Sequence, residues 1–328
     1  MAEMTFDQKY AECKDHIHSI AYNSYGRSEI NQFADVVELL ALFKKESGVS
    51  KGDVGDFLYG ENDNTSADDN NDEVNESENN DRKELFVDTI FKILNDRVVL
   101  YANLYPFVIT NNILYIKDAI DINEKNYIFL LISSSLDIFK QFQPVLTTDF
   151  ETVSYKAFKN YLPTATIKQF GKNSEYAGNA KNKIMQLAND LGLPINEDEI
   201  SQVNERNNQE RGLDIVGWIP FEDNCQNKIV FLCQCACGKN FEHKQHDTRR
   251  FENYYIFYKT KPQHTLFIPS SLINIDNQKF YHSDYIENDY LVFERKRIVS
   301  LLKGDNIVNN LSSRELVERC LADTSEYY

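Results

Sequence analysis

Residues 212–239 read GLDIVGWIPFEDNCQNKIVFLCQCACGK, and the pairing of this stretch decides what the chain can be. Two apolar runs, 213–219 and 228–235, flank a polar turn that holds Pro220, Asp223 and Asn224. Such a pattern predicts a β-hairpin. Two registers are open. Centring the pairing between 223 and 224 sets Asp214 opposite Cys233, on the face of Cys235. Centring it on Asn224 sets Asp214 opposite Gln234, and Asp214, Val216 and Trp218 then share a face with Leu232 and Gln234. A one-residue slip turns every side chain to the other face, so the register fixes which polar groups meet at the end of the sheet.

Working outward, the segments on either side alternate between helical and extended patterns. Apolar positions at helical spacing mark 10–25, 30–45 around Phe33, Val36, Leu40 and Phe43, then 85–94, 127–139, 150–162 and 179–191. Gly192 is placed to stop the last of these. Residues 105–116 read as two short strands turning at Asn111-Asn112. Residues 254–259, 265–268 and 290–293 read as strands, with helices over 297–302 and 312–322. The expected fold class is α/β in the mixed α+β sense: a C-terminal core built on a mixed sheet flanked by helices, and a mostly helical N-terminal region. The expected divisions are 1–60 helical, 61–82 an acidic linker or loop, 83–165 an α/β contact region, and 166–328 the functional domain.

At 328 residues the chain is long for one core. Its formal net charge is −16, which argues against a protein that coats nucleic acid indiscriminately. Half of that excess is local, because 61–82 carries nine acidic residues and one basic one. That stretch has almost no apolar residue, so it reads as a solvated spacer. No apolar run of about 18 residues occurs, which predicts no membrane span. The opening MAEMTFDQKYAECKDH lacks the apolar core of a signal peptide, and the chain reads as cytoplasmic.

Four of the six cysteines fall at 225, 233, 235 and 237. With His243 and His246 nearby they suggest zinc, but structural zinc sites favour C-x₂₋₄-C knuckles, and a straight strand spreads C-x-C-x-C over about 13 Å. Small buried hydrophobes are therefore the stronger reading, and zinc and a catalytic thiol the weaker ones. His16 and His18 read as helix surface and Trp218 as core. Lys239, Lys244, His246, Arg249 and Arg250 form a locally basic run that suits either a solvated face or a phosphate backbone. Glu294-Arg295-Lys296-Arg297 forms another charged cluster.

Phosphodiester hydrolysis needs a hard divalent cation on carboxylate oxygens, with a lysine to orient water and stabilise developing charge. Asp214 is the candidate ligand, with Glu210 or Glu205 as a second carboxylate. The order Glu210, Gly212-Leu213-Asp214, Gln234 and then a lysine resembles the restriction-endonuclease-like nucleases, the PD-(D/E)XK superfamily. There, an Asp on one strand precedes a Glu or Gln, any residue and a Lys on the next strand, often with a Glu on an upstream helix. The resemblance spans roughly 179–293. It implies Mg²⁺ or Mn²⁺ held by Asp214 and Glu210, Gln234 at the Glu/Gln position, and Lys239 orienting water.

Ala236 stands where that family has its lysine, so Lys239 or Lys244 has to reach back. The blocks ERGLDIVGW, QCACGKNFEHK and LVFERKRI resemble bacterial proteins of restriction or anti-phage type. That implies a defence nuclease and nothing more specific. The expected partners are nucleic acid, DNA before RNA, and, from the acidity of the chain, a protein of a defence complex that delivers substrate. The contrasting expectation is a non-catalytic interaction subunit whose core is stabilised by zinc or by packing alone.

Overall fold

A computed structural model describes residues 4–19, 30–59, 73–204, 212–223, 225–238, 241–281 and 283–323, apart from the side chains of 18–19, 73–79 and 285. The fold is mixed α/β. Two compact units divide the chain. One comprises Met1–Gln143, Ser270–Tyr281 and Val308–Tyr328, and the other Pro144–Pro269 and His282–Ile307. The expected divisions are contiguous stretches of sequence, whereas each of these units is assembled from separated segments. The expected spacer is also shorter. A helix runs Glu73–Tyr101, because the buried stripe Val87, Ile90, Phe91 and Leu94 anchors it and adding turns to an existing helix costs little. Residues 61–72 of that expectation lie outside the described residues. Among the described residues no helix is long and apolar enough to cross a membrane.

In the first unit, β1 (Val49–Ser50), β3 (Ile113–Ile116) and β2 (Phe107–Thr110) form an antiparallel sheet in that order. The expected turn is present: Asn111 and Asn112 take φ of 54° and 60°, a left-handed pair suited to a two-residue hairpin. The helix Ile122–Ser134 starts at a reciprocal capping box between Asp121 and Glu124. A later segment adds the ribbon β8 (Ile273–Asn274) and β9 (Lys279–Phe280).

Inside this unit lies a charged cluster. Arg97, 2% exposed, places Nη1 2.7 Å from Asp35 Oδ1 and 2.8 Å from Glu38 Oε1, and its Nη2 donates to the Asn31 carbonyl. The hydroxyls of Tyr105 and Tyr127 donate to Glu38 Oε1 at 2.6 and 2.9 Å. Burial disfavours the Arg97 charge, but the two carboxylates outweigh it and hold the guanidinium protonated.

The second unit is built on a five-stranded mixed sheet. Its order is β10 (Tyr290–Phe293), β7 (Gln263–Phe267), β6 (Val230–Cys235), β5 (Ile215–Trp218) and β4 (Thr166–Gln169). β4, β5 and β6 run antiparallel, while β7 is parallel to β6 and β10 to β7. Ile215 pairs with Cys233 and Val216 with Leu232, which is the register that sets Asp214 opposite Gln234.

Strand alternation gives each face its own helix. On one face Phe231, Phe267 and Phe293 place their rings 5.5, 5.6 and 5.9 Å from Phe158, which belongs to the helix Gln143–Tyr161. On the other, Val216, Trp218, Val230 and Leu232 join Ile184, Leu187 and Leu191 of the helix Ala180–Leu191. Asn179 caps that helix and Gly192, in the left-handed region, ends it. The strand expected over 254–259 is absent. A short helix Phe251–Tyr254 forms instead, since Phe251, Tyr254 and Tyr255 turn their rings into this second cluster.

Candidate active site

Asp214 lies just before β5, buried, where the end of β6 meets the loop after β4. Its backbone N–H donates to the Cys233 carbonyl at 2.9 Å, and its own carbonyl accepts from Phe170 and Gly171 at 2.7 and 3.0 Å. The side-chain Oδ2 accepts from Gln234 Nε2 at 2.9 Å and from the Cys235 backbone N–H at 2.7 Å. Two N–H donors on one oxygen orient the carboxylate.

The carboxylate brought to Asp214 is Glu151, buried on the helix Gln143–Tyr161. Glu151 Oε2 accepts from the Lys172 backbone N–H at 3.0 Å. Between the two acids stands Gly171. A Cβ there would lie 2.7 Å from Glu151 Oε2 and 2.9 Å from Asp214 Oδ1, so the carboxylates meet across a backbone carbon that tolerates no side chain. Gly212 is a second fixed point. It has φ of +84° and lies against Asp247, whose Cβ would be 2.2 Å from any Cβ built on Gly212.

Gln234 is 4% exposed. Its Nε2 is committed to Asp214, and its Oε1 is buried without a hydrogen-bond partner among the described residues. A buried acceptor with no donor is costly, which makes this oxygen a place where a cation or an added donor fits. Asp214, Glu151 and Gln234 thus offer only hard oxygen donors, the type that suits Mg²⁺ or Mn²⁺. Among the described residues, no three His, Cys, Asp or Glu side chains are grouped to hold a metal. The carboxylate component here is a pair, as Mg²⁺ sites commonly use.

Glu210, Glu205 and Lys239 lie outside the described residues. Ala236, at the family's lysine position, is buried, and its N–H donates to the Phe267 carbonyl. Lys244 is exposed. The Cys237 thiol reports on the charges around it: burial pushes its pKa up, the Lys244 ammonium pulls it down, Glu151 pushes it up again, then Lys172 lowers and Asp214 raises it.

Cys233 and Cys235 are buried, as the packing reading expected, and burial raises both thiols, against the lowering hydrogen bonds of Thr265 on Cys233 and Ser154 on Cys235. A raised thiol is a poor nucleophile at neutral pH. Cys225 is exposed. His243 and His246 have side chains 80% and 62% exposed, as expected for surface polar groups. The charged cluster at 294–297 is structural: Arg295, fully buried, donates to the Pro269 carbonyl, and Glu294 caps Arg297 N–H.

A buried polar network holds the segment that carries Lys244. His264 Nδ1 is 2.9 Å from Thr248 Oγ1, and His264 Nε2 is 2.7 Å from Glu252 Oε1. The His264 ring stacks on Tyr290, whose hydroxyl donates to the Gln245 carbonyl. Gln245 Oε1 accepts the Glu287 N–H at 2.9 Å.

Sequence reasoning missed Glu151, Gly171 and Lys172. A signal for Glu151 existed. It falls on the same helical stripe as Ser154 and Phe158, where an acid interrupts an otherwise core-facing face. Lys183, buried beside Ile184 and Leu187, carries the same mark. Neither Gly171 nor Lys172 had one. No known family model, curated protein or solved structure matches the chain.

Proposed function

We propose that this chain is a divalent-metal-dependent nuclease, an endonuclease of the restriction-endonuclease-like PD-(D/E)XK type, acting on nucleic acid in a cytoplasmic restriction or anti-phage setting. The observation that carries the reading is the approach of Asp214 and Glu151 at Gly171, with Gln234 bonded to the other oxygen of Asp214, at one end of a mixed sheet flanked by helices. The resemblance calls for an Asp at one strand, a Gln on the next and a Glu from an upstream helix. Asp214, Gln234 and Glu151 supply that set, with Glu151 in the role first expected of Glu210.

Asp214, Glu151 and Gln234 Oε1 would hold the ion. The chemistry such an ion supplies when bound is neutralisation of phosphate charge and acidification of water. The residues themselves do the positioning. Gln234 and the Cys235 N–H fix Asp214 Oδ2, which aims Oδ1 toward Glu151. The Lys172 N–H fixes Glu151 Oε2. Lys244, on a segment held by the Gln245 and Thr248 contacts, is the described lysine that would stabilise charge developing on a phosphate.

The test is cleavage of plasmid DNA, single-stranded DNA and RNA in Mg²⁺ or Mn²⁺. Asp214→Asn and Glu151→Gln should each abolish cleavage while the circular dichroism spectrum and the two-unit unfolding profile stay those of the wild type. Cleavage that survives both changes refutes the assignment. One observation favours a non-catalytic interaction subunit: the buried Ala236 at the lysine position. Elemental analysis separates the readings, because stoichiometric zinc lost on Cys235→Ser or Cys237→Ser supports the interaction module.

A further inference from the structure

Resting on that nuclease reading, we infer that Lys172 is a positioning residue that receives the phosphate flanking the scissile one, so that the substrate is a nucleic-acid strand rather than an isolated phosphodiester. Lys172 follows Gly171, the carbon at which the two acids meet, and its backbone N–H is bonded to Glu151 Oε2. The side chain turns elsewhere. Its Nζ donates to Thr147 Oγ1 at 2.7 Å. Thr147 precedes Glu151 by four residues on the same helix, one turn or about 6 Å along the axis. The ammonium is therefore displaced from the reacting position and held beside it, a placement for a neighbouring phosphate.

Three features make this ammonium a ready contact. The residue is exposed. Its restraint is a neutral hydroxyl, whereas Lys168 and Lys44 are spent on carboxylates of Asp190 and Asp53 at 2.6 and 2.8 Å. An ammonium has three donors, and Thr147 takes one. The loop is also fixed before any ligand arrives, because Asn173 Nδ2 bonds Thr152 Oγ1 at 3.1 Å and the Thr148 carbonyl at 3.4 Å. Such preorganisation lowers the ordering cost of binding. In a chain of net charge −16, local cations of this kind have to supply what the overall field does not.

The experiment compares two probes on the full-length protein in Mn²⁺: bis(p-nitrophenyl) phosphate, which has no flanking phosphate, and a single-stranded DNA oligonucleotide. Lys172→Met should lower kcat/KM for the oligonucleotide by about tenfold at low salt, through KM, and reduce the salt slope by about 1. Hydrolysis of the small diester should fall far less, because Lys172→Met keeps the backbone N–H bonded to Glu151. Thr147→Val should show part of the loss, and Lys172→Arg should restore most of it. Equal losses on both probes, or no loss on the oligonucleotide, overturn the inference.

Fluorescence anisotropy of the labelled oligonucleotide keeps the test independent of turnover. If the wild type cleaves neither probe, the nuclease reading fails. The phosphate contact then stands only if Lys172→Met still weakens binding about tenfold, and falls if binding is unchanged.

Discussion

Both units bury carboxylates, but they hold them in opposite ways. In the first, Asp35 and Glu38 close on the guanidinium of Arg97 at 2.7 and 2.8 Å, and two tyrosine hydroxyls complete the set. In the second, Asp214 and Glu151 are oriented by N–H donors of Gln234, Cys235 and Lys172 and meet across Gly171, with Gln234 Oε1 left as an acceptor. A buried charge set that carries its own counter-ion is structural, since its energy is committed within the fold. The Asp214–Glu151 pair is oriented by N–H donors instead, and under the proposed nuclease reading its oxygens and Gln234 Oε1 would receive a cation. The pair of sites teaches that burial alone does not separate a carboxylate set closed on a guanidinium from one oriented by N–H donors.

The largest expected effect comes from breaking the closed set. Arg97→Met leaves Asp35 and Glu38 buried without their guanidinium and should cost about 3–5 kcal/mol of first-unit stability, read from urea unfolding. Activity per folded molecule should be unchanged. A loss below about 1 kcal/mol would mean that the cluster contributes no more than a surface pair.

The open set should respond to added ion instead. Mn²⁺ at about one hundred times its Kd should stabilise the second unit by about 2.7 kcal/mol, with the first unit unmoved. Glu151→Gln should remove most of that gain. Gly171→Ala should remove it too, at a cost of on the order of 1–3 kcal/mol, because the new methyl is driven between the two acids. Calorimetry with and without the ion measures both. An equal ion response in wild type and Gly171→Ala would contradict the geometry of the pair.

The smallest expected effect concerns His264. Burial lowers its pKa from the ordinary 6.5, although Glu252 pulls it upward; the Arg249 charge adds to the lowering. The folded chain therefore binds fewer protons than the unfolded chain between the lowered value and 6.5, so stability rises with pH across that window and is lost on acidification. His264→Gln should flatten that part of the melting-temperature profile. A profile of unchanged slope would place the titration elsewhere.

Much of the second unit was legible in its residues. Alternation along 213–219 and 228–235 marks the hairpin, and the chemistry of Asp214 and Gln234 marks the end at which they meet. The register was left between two choices because strand periodicity is two and both centres are sterically allowed. The pairing of β5 with β4 lies outside any local pattern, since its residues are about fifty positions away. Glu151 was missed for a related reason. It comes from a helix more than sixty residues before Asp214, and no local pattern says which helix covers the strand ends. Lys172 and Gly171 belong to an irregular loop, where position follows from tertiary contacts rather than from any period. The Tyr254–Lys259 run shows propensity overridden: its aromatic residues suit a strand, but burying Tyr254 and Tyr255 in the helix-covered cluster wins.

The division of the chain has a consequence for synthesis. The unit that holds Asp214 has all its segments by Ile307, whereas the unit that holds Arg97 still needs Val308–Tyr328, including the helix Arg314–Ala322 with Leu316, Val317 and Cys320 buried. On the ribosome, the unit that begins first is therefore the one completed last. Its core lacks that helix until the chain beyond Ile307 has emerged, so the inserted unit can close first.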